Sequence, residues 1–340
     1  MGQRKQALIW LEHQPYIDVA PVPQQQLYQQ ACANDAVTIQ SWRDTWVSQI
    51  RANRAVFGPF KDKSLGKLFN KHRHMPAFIL GSGPSLKKNA HLLAGDKKLG
   101  IPVISCLHNF HYLEDLGVEV DYYVTLDSGP VTIEEIAEGG NPDTDYWAKT
   151  KGKTLLAYIG SHPNLLAKWQ GDIYFFNCPI PDPAVEAEIN AIERFRLLVS
   201  SGGNVLGAAL YISKAFLGCD TSIFLGADFS FSYDEKFHGW DSKYDAKLGE
   251  FVKLVDIYGN RTKTWQSYAN FKAWFDWVAQ QVPGQYINCT EGGIFGAYPE
   301  GNIRAIKQMD LDDCLVRYGM SDHLKEQVAN PDIENSKILF

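Results

Sequence analysis

Residues 76–86 read Pro76-Ala-Phe-Ile-Leu-Gly81-Ser82-Gly83-Pro84-Ser85-Leu86, an apolar run that passes straight into a glycine turn. The segment 77–81 does not alternate apolar with polar residues, so it reads as a strand covered on both faces. Glycines let the backbone turn sharply and approach an anion, Pro84 suits a first helical position, and Ser82 and Ser85 offer hydroxyls. N–H groups at such a helix start cradle a phosphate or a carboxylate. Outward from here the same texture repeats at 102–106, 121–126, 154–159, 172–177 and 222–227, with helices expected over 183–198 and 203–217. Strand–helix–strand repetition of this kind predicts a Rossmann-like α/β fold, with a mainly parallel sheet and helices on both faces. Its ligand belongs at the carboxyl ends of the strands.

The flanks differ. Residues 1–75 show no strand–helix rhythm and read as a helical N-terminal extension, with helices over Pro23–Cys32 and Val37–Phe57. A basic stretch from Lys61 to Arg73 follows and reads as a solvated linker. After the core, FVKLVDIY, Gly259-Asn260 and RTKTW predict a β-hairpin, and 266–281 predicts a helix whose Tyr268, Phe271, Phe275 and Val278 trace an apolar face. These assign 76–310 to one nucleotide-binding, transferase-like domain and 311–340 to a tail.

Composition sets limits. With 45% apolar and 21% charged residues the 340-residue chain has an ordinary globular make-up, and its net charge of −6 argues against coating nucleic acid. Six cysteines without a CxxC pair read as reduced thiols. No apolar run reaches membrane-span length and the first residues lack a signal-peptide core, so a cytoplasmic location is expected.

Four constellations offer chemistry. The Gly81–Ser85 loop lacks the third glycine of the dinucleotide fingerprint and is not a P-loop, which leaves a purely structural turn open beside an anion site. Ser200-Ser201-Gly202-Gly203-Asn204 opens the next helix in the same manner. Asn109, Asp127 and Asp228 each follow a strand, where polar groups face the crevice of open α/β sheets but also serve as turn residues. His238, in Phe-His-Gly-Trp-Asp, titrates near neutrality and suits a general base, with packing beside its aromatic neighbours as the alternative. Asp143-Thr144-Asp145 matches a metal-chelating DxD triplet but sits in turn-forming sequence, and the His72/His74 and His108/His111 pairs lack further zinc ligands.

In order, AFILGSGPSL, VISCLHNFHYLEDLGVEVDYYVTLD, SSGGNVLGAALYISKAFLGCDTSIFLGADFSF, DIYGNRTKTWQSYANFKAWF and YINCTEGGIFGAYPEG resemble the motility accessory factor / 6-hydroxymethylpterin diphosphokinase-like domain family over about residues 76–310. The same core resembles bacterial sialyltransferases that use CMP-sialic acid. That resemblance implies that Gly81, Ser82, Gly83, Pro84, Ser85, Asn109, Asp127, Ser201, Gly202 and Gly203 hold a nucleotide. It implies further that His238 deprotonates an acceptor hydroxyl with Asp228 in the catalytic set, and that Thr290, Glu291 and Gly292 meet substrate. Two residues separate Cys106 from Asn109 where the pattern has them adjoin. The expected co-substrate is a nucleotide or nucleotide-sugar, with no tightly bound cofactor, and the sequence does not specify the acceptor. In the alternative, a pterin diphosphokinase, ATP and magnesium would be held by Asp127 and Asp228. A catalytically silent nucleotide-binding module is the third reading.

Overall fold

A computed structural model describes residues 22–94, 100–137, 139–231, 251–298 and 301–318. Helix α1 (Val22–Phe57) precedes β1 (Pro76–Leu80), α2 (Leu86–Asn89), β2 (Val103–Cys106), α3 (Phe110–Leu116) and β3 (Tyr122–Thr125). The chain continues through α4 (Val131–Glu135), α5 (Tyr146–Lys149), β4 (Thr154–Tyr158), α6 (Pro163–Lys168) and β5 (Asp172–Phe176). It returns through α7 (Pro183–Ile192), α8 (Val205–Tyr211) and β6 (Thr221–Leu225). A hairpin of β7 (Phe251–Val255) and β8 (Arg261–Trp265) is followed by α9 (Gln266–Gln281) and β9 (Gln285–Asn288). The short β10 (Ala297–Tyr298) and β11 (Gly301–Asn302), then β12 (Ile306–Gln308) and α10 (Leu311–Tyr318), complete the described chain.

Eight strands form one sheet in the order β12-β9-β6-β1-β2-β3-β4-β5, and every neighbouring pair is parallel. In β1, β2, β3 and β6 odd and even residues alike are buried, so the sheet centre is covered on both faces. This is the Rossmann-like α/β architecture that the apolar runs predict. The chain steps outward from β1 to β5, then crosses back so that β6 lies on the other side of β1. That reversal makes β1/β6 the topological switch point, where open parallel sheets form a crevice at their carboxyl edge.

Some boundaries differ from expectation. The two helices expected in the N-terminal extension are one, because no glycine or proline interrupts the chain between Pro23 and Phe57. The helix expected over 183–198 stops at Ile192, where Glu193 is extended and accepts the Phe60 N–H while pairing with Arg54. The helix expected to 217 changes at Tyr211 into a π-helical turn over Ile212–Phe216. The short β12 has no sequence signal, and it extends the sheet by pairing with β9. Leu311 and Cys314 of α10 are buried in the same core as the sheet.

Helix α1 is bound to the carboxyl edge of the sheet. Asn53 is fully buried and its Nδ2 donates to the carbonyls of Ile159 at 2.9 Å and Ser161 at 2.8 Å, just beyond β4. One turn earlier, Gln49 Nε2 donates to the Ser128 carbonyl at 2.8 Å, beyond β3. Ile50, between them, is fully buried. The amides satisfy loop carbonyls that no strand neighbour reaches, which is what buried backbone requires. Replacing Asn53 by Ala is expected to lower the unfolding free energy by ~1–3 kcal/mol, since both carbonyls lose their donor. Urea unfolding with an unchanged slope and a lower midpoint would show this, and an unchanged midpoint would detach α1 from the fold's stability.

Candidate functional site

At the switch point the loops after β1 and β6 touch. The Gly81 N–H donates to the Leu225 carbonyl and the Gly83 N–H to the Gly226 carbonyl, each at 2.8 Å. A Cβ on Gly81 would stand 2.5 Å from the Gly226 oxygen; one on Gly83 would stand 2.6 Å from it and overlap the Asp228 carboxylate. Gly226 itself has φ +60°, which disfavours any side chain. The glycines therefore permit loop-on-loop contact, independently of any ligand.

Asp228, three residues beyond β6, is 3% exposed in relative terms. The Ser85 N–H donates to its two carboxylate oxygens at 3.2 and 3.3 Å, and the Ser85 hydroxyl donates to Oδ1 at 2.6 Å. An internal carboxylate thus occupies the donors at the start of α2 that the sequence offers to a phosphate or carboxylate. Burial pushes Asp228 up to about 6, against the pull of the Ser85 hydrogen bonds and the Lys88 charge.

Next to this plug, Asn109 is fully buried and ties β2 to the glycine loop. Its Nδ2 donates to the Gly81 carbonyl and the Ser105 hydroxyl, both at 3.0 Å. Its Oδ1 is buried and has no hydrogen-bond partner, and the same holds for Asn53 Oδ1, Ser161 Oγ and Ser200 Oγ. All four lie where β2, β4 and β5 end. Buried polar atoms are seldom left unsatisfied, so this edge holds room in its hydrogen bonding for a polar guest or for water. Asp127, after β3, is open to solvent yet enclosed by protein, as a cleft residue is. That enclosure, with the charge of Glu135, lifts its carboxyl to about 6. His108 Nδ1 lies 3.3 Å from Glu135 Oε1 in the same cluster.

The Ser201–Gly203 segment is backed by α9. Gly202 (φ +57°) packs on the Trp274 ring, and a Cβ on Gly203 (φ +83°) would come 2.9 Å from Phe271. Asn204 caps α8 through the Gly207 N–H at 2.9 Å. Tyr268, one turn earlier on α9, is raised by burial and then by the charge of Asp127, which places the start of α9 beside the β3 end. From sequence the aromatic stripe of α9 reads as core alone; its helical spacing does not show that one edge of it reaches the crevice. Gln49 and Asn53 likewise escape a sequence reading, because two amides in an apparently detached helix carry no local signal.

Thr290, Glu291 and Gly292 reach the plug from behind. Thr290 Oγ accepts the Ala227 N–H at 3.1 Å, and a Cβ on Gly292 would overlap the Ser85 hydroxyl. Glu291 Oε1 accepts from Asn89 Nδ2 at 2.9 Å and from the Leu311 N–H at 3.1 Å, so it caps α10. Ser82 and Pro84 are half-buried in their loop. His238 lies outside the described residues. Asp145 of the DxD triplet caps α5 through the Ala148 N–H at 3.1 Å. Among the described residues no group of three or more His, Cys, Asp or Glu is placed to hold a metal ion. With both Asp228 oxygens engaged by Ser85, the Asp127–Asp228 pair does not fit a magnesium site in this arrangement.

A parallel sheet with glycine loops meeting at its switch point, and unsatisfied buried oxygens beyond it at the ends of β2, β4 and β5, defines a Rossmann-like protein. The family model of 6-hydroxymethylpterin diphosphokinase MptE-like domains matches residues 57–234, just over half of the chain, and the chain belongs to that family. Among solved structures, a MAf glycosyltransferase from Magnetospirillum magneticum AMB-1 shares the fold, with a TM-score of 0.54 and 14% sequence identity. The match covers 83% of this chain but 40% of that one, so the matched part spans two-fifths of this neighbour. No curated protein matches the chain. No helix among the described residues is long and apolar enough to cross a membrane.

The plug makes stability depend on pH in a defined direction. A carboxyl raised from 3.8 to about 6 on folding favours the folded state most below its unfolded value, and that contribution declines as pH climbs toward 6. The rise corresponds to ~3 kcal/mol. Asp228→Asn cannot ionise, so its unfolding free energy relative to the parent should improve by up to that amount from about pH 4 to about pH 7. Parallel pH series of denaturant unfolding would measure it; a difference that stays constant with pH would mean Asp228 is ionised in both states alike.

Proposed function

We propose that this protein is a nucleotide-sugar-dependent, glycosyltransferase-like enzyme that binds its donor in the carboxyl-edge crevice and transfers the sugar to a hydroxyl acceptor. The observation that carries the reading is Asn109, fully buried against the Gly81 carbonyl with an unpartnered oxygen, at the carboxyl end of β2 beside the switch point of a parallel sheet. Fold likeness to a glycosyltransferase and the diphosphokinase-like family membership are both consistent with a nucleotide there.

The plug constrains how a donor sits. Ser85 already holds Asp228, so donor phosphates are assigned to the open side, toward Ser82, Asn109 and the Ser201–Gly203 turn. Gly83 is needed for the loop contact itself, which makes its substitution a test of folding rather than of binding. Asp228 then acts as a positioning residue. His238 is assigned the general base: it takes the acceptor's proton as the acceptor oxygen bonds to the anomeric carbon and the bond from that carbon to the donor's phosphate oxygen breaks. The diphosphokinase reading keeps support from family membership and from Asp127, whose raised carboxyl in a cleft is typical of functional groups.

Thermal shift and calorimetry with CMP, CMP-sialic acid, UDP- and GDP-sugars, and ATP with magnesium separate the readings. A bound nucleotide at about a hundred times its Kd stabilises by ~2.7 kcal/mol. The glycosyltransferase reading expects a nucleotide-sugar to bind without magnesium, and His238→Ala to keep that affinity while turnover drops ~10²- to 10⁴-fold. Magnesium-dependent binding of ATP alone, with activity lost in Asp127→Asn, would transfer the assignment to diphosphate transfer. Nucleotide binding with no turnover in any pairing would leave a binding module.

A further inference from the structure

Away from the crevice, the β7–β8 hairpin, α9 and the chain after Gly293 border a cavity of about 430 Å³. That volume lies within the ~300–1,000 Å³ of small-molecule sites. Its inner wall is apolar: Ile294 and Ala297 are buried, and Leu254 and Val255 of β7 add half-buried aliphatic surface. Its rim is cationic. Lys253 and Arg261 both line it and both are exposed, and neither forms an ion pair among the described residues. The hairpin register sets Val255 opposite Arg261 and Lys253 opposite Lys263, so these cations share one face of the ribbon.

The third cation differs. Lys272 Nζ lies 2.5 Å from Asp276 Oδ2 and 2.5 Å from the Ala297 carbonyl, so it is committed to holding α9 against β10. Lys253 and Arg261 are left as the groups available to a guest. We propose that this cavity is a second binding site, separate from the nucleotide crevice, for an organic anion. Arg261 and Lys253 grip its phosphate- or carboxylate-type head, and Val255, Ile294 and Ala297 receive its apolar body. A guanidinium matches two oxygens of such a head in one plane, and the ammonium adds a point charge. The Ile294 N–H donates to the Asp228 carbonyl at 2.7 Å, so the site shares a wall with the plug.

The test uses the full chain without nucleotide, so its result stands apart from the nucleotide assignment. Octyl phosphate below its micelle concentration, octyl glucoside and inorganic phosphate are titrated by calorimetry. Octyl phosphate is expected to bind at one site, with inorganic phosphate and octyl glucoside each at least ~10-fold weaker, because each lacks one half of the recognition. The double variant Lys253→Gln, Arg261→Gln should weaken octyl phosphate at least ~10-fold and remove its salt dependence. Arg261→Lys should retain part of the affinity. Equal binding of octyl glucoside and octyl phosphate would overturn the proposal, as would inorganic phosphate binding as tightly, or an unchanged double variant. The parent's three titrations decide the matter even if the double variant does not fold.

Discussion

The contact between the Asp228 carboxylate and the N–H and hydroxyl of Ser85 holds the centre of this molecule together. A carboxylate this deeply buried is costly unless hydrogen-bonded, and Ser85 supplies those bonds from the loop of the adjoining strand. For the two loops to come so close, Gly81, Gly83 and Gly226 must lack side chains, and Gly293 must pass against the Asp228 backbone with φ +70°. One ionisable group thereby dictates the composition of three separate loops. The last of them, through Thr290 and Glu291, also places β9 and α10.

Filling the switch point from within moves the accessible part of the carboxyl edge sideways. In open α/β sheets the crevice forms where the strand order reverses. Here that position contains protein, and the unsatisfied oxygens stand further along, at the ends of β2, β4 and β5. Helix α1 closes this edge from outside with Gln49 and Asn53, and α9 backs it with Phe271 and Trp274. The N-terminal helix is accordingly part of the wall of the crevice. Asp127 lies between these walls, where enclosure by protein and the charge of Glu135 raise its carboxyl.

Helix α9 serves two environments because successive residues of a helix point about a hundred degrees apart. Phe271 and Trp274 support the glycines of the 201–203 turn, whereas Lys272 and Asp276, one turn apart, form an ion pair directed at the Ala297 carbonyl. The same helix therefore forms one wall of the crevice and one wall of the hairpin cavity. A buried lysine–carboxylate pair contributes little net stability beyond its desolvation cost, but it fixes the orientation of the helix between those walls.

Local pattern in the chain accounts for the sheet and its turns. Unalternating runs such as Phe78-Ile79-Leu80 and Ile223-Phe224-Leu225 require cover on both faces, and so specify a parallel sheet. Gly259-Asn260 between two β-prone runs specifies the hairpin, and the aromatic spacing after Trp265 specifies α9. The glycine loops and the strand-end polar residues are legible as types, because turns and crevice positions draw on few residues. Their partners are not legible. That Asp228 fills the Ser85 donors, that Asn53 of a distant helix caps β4, and that Asn109 is left with a bare oxygen all depend on contacts between residues tens to more than a hundred positions apart. Such pairings exist only once the chain has closed on itself: hydrogen-bond geometry is set by three-dimensional placement, and local preference alone cannot encode it.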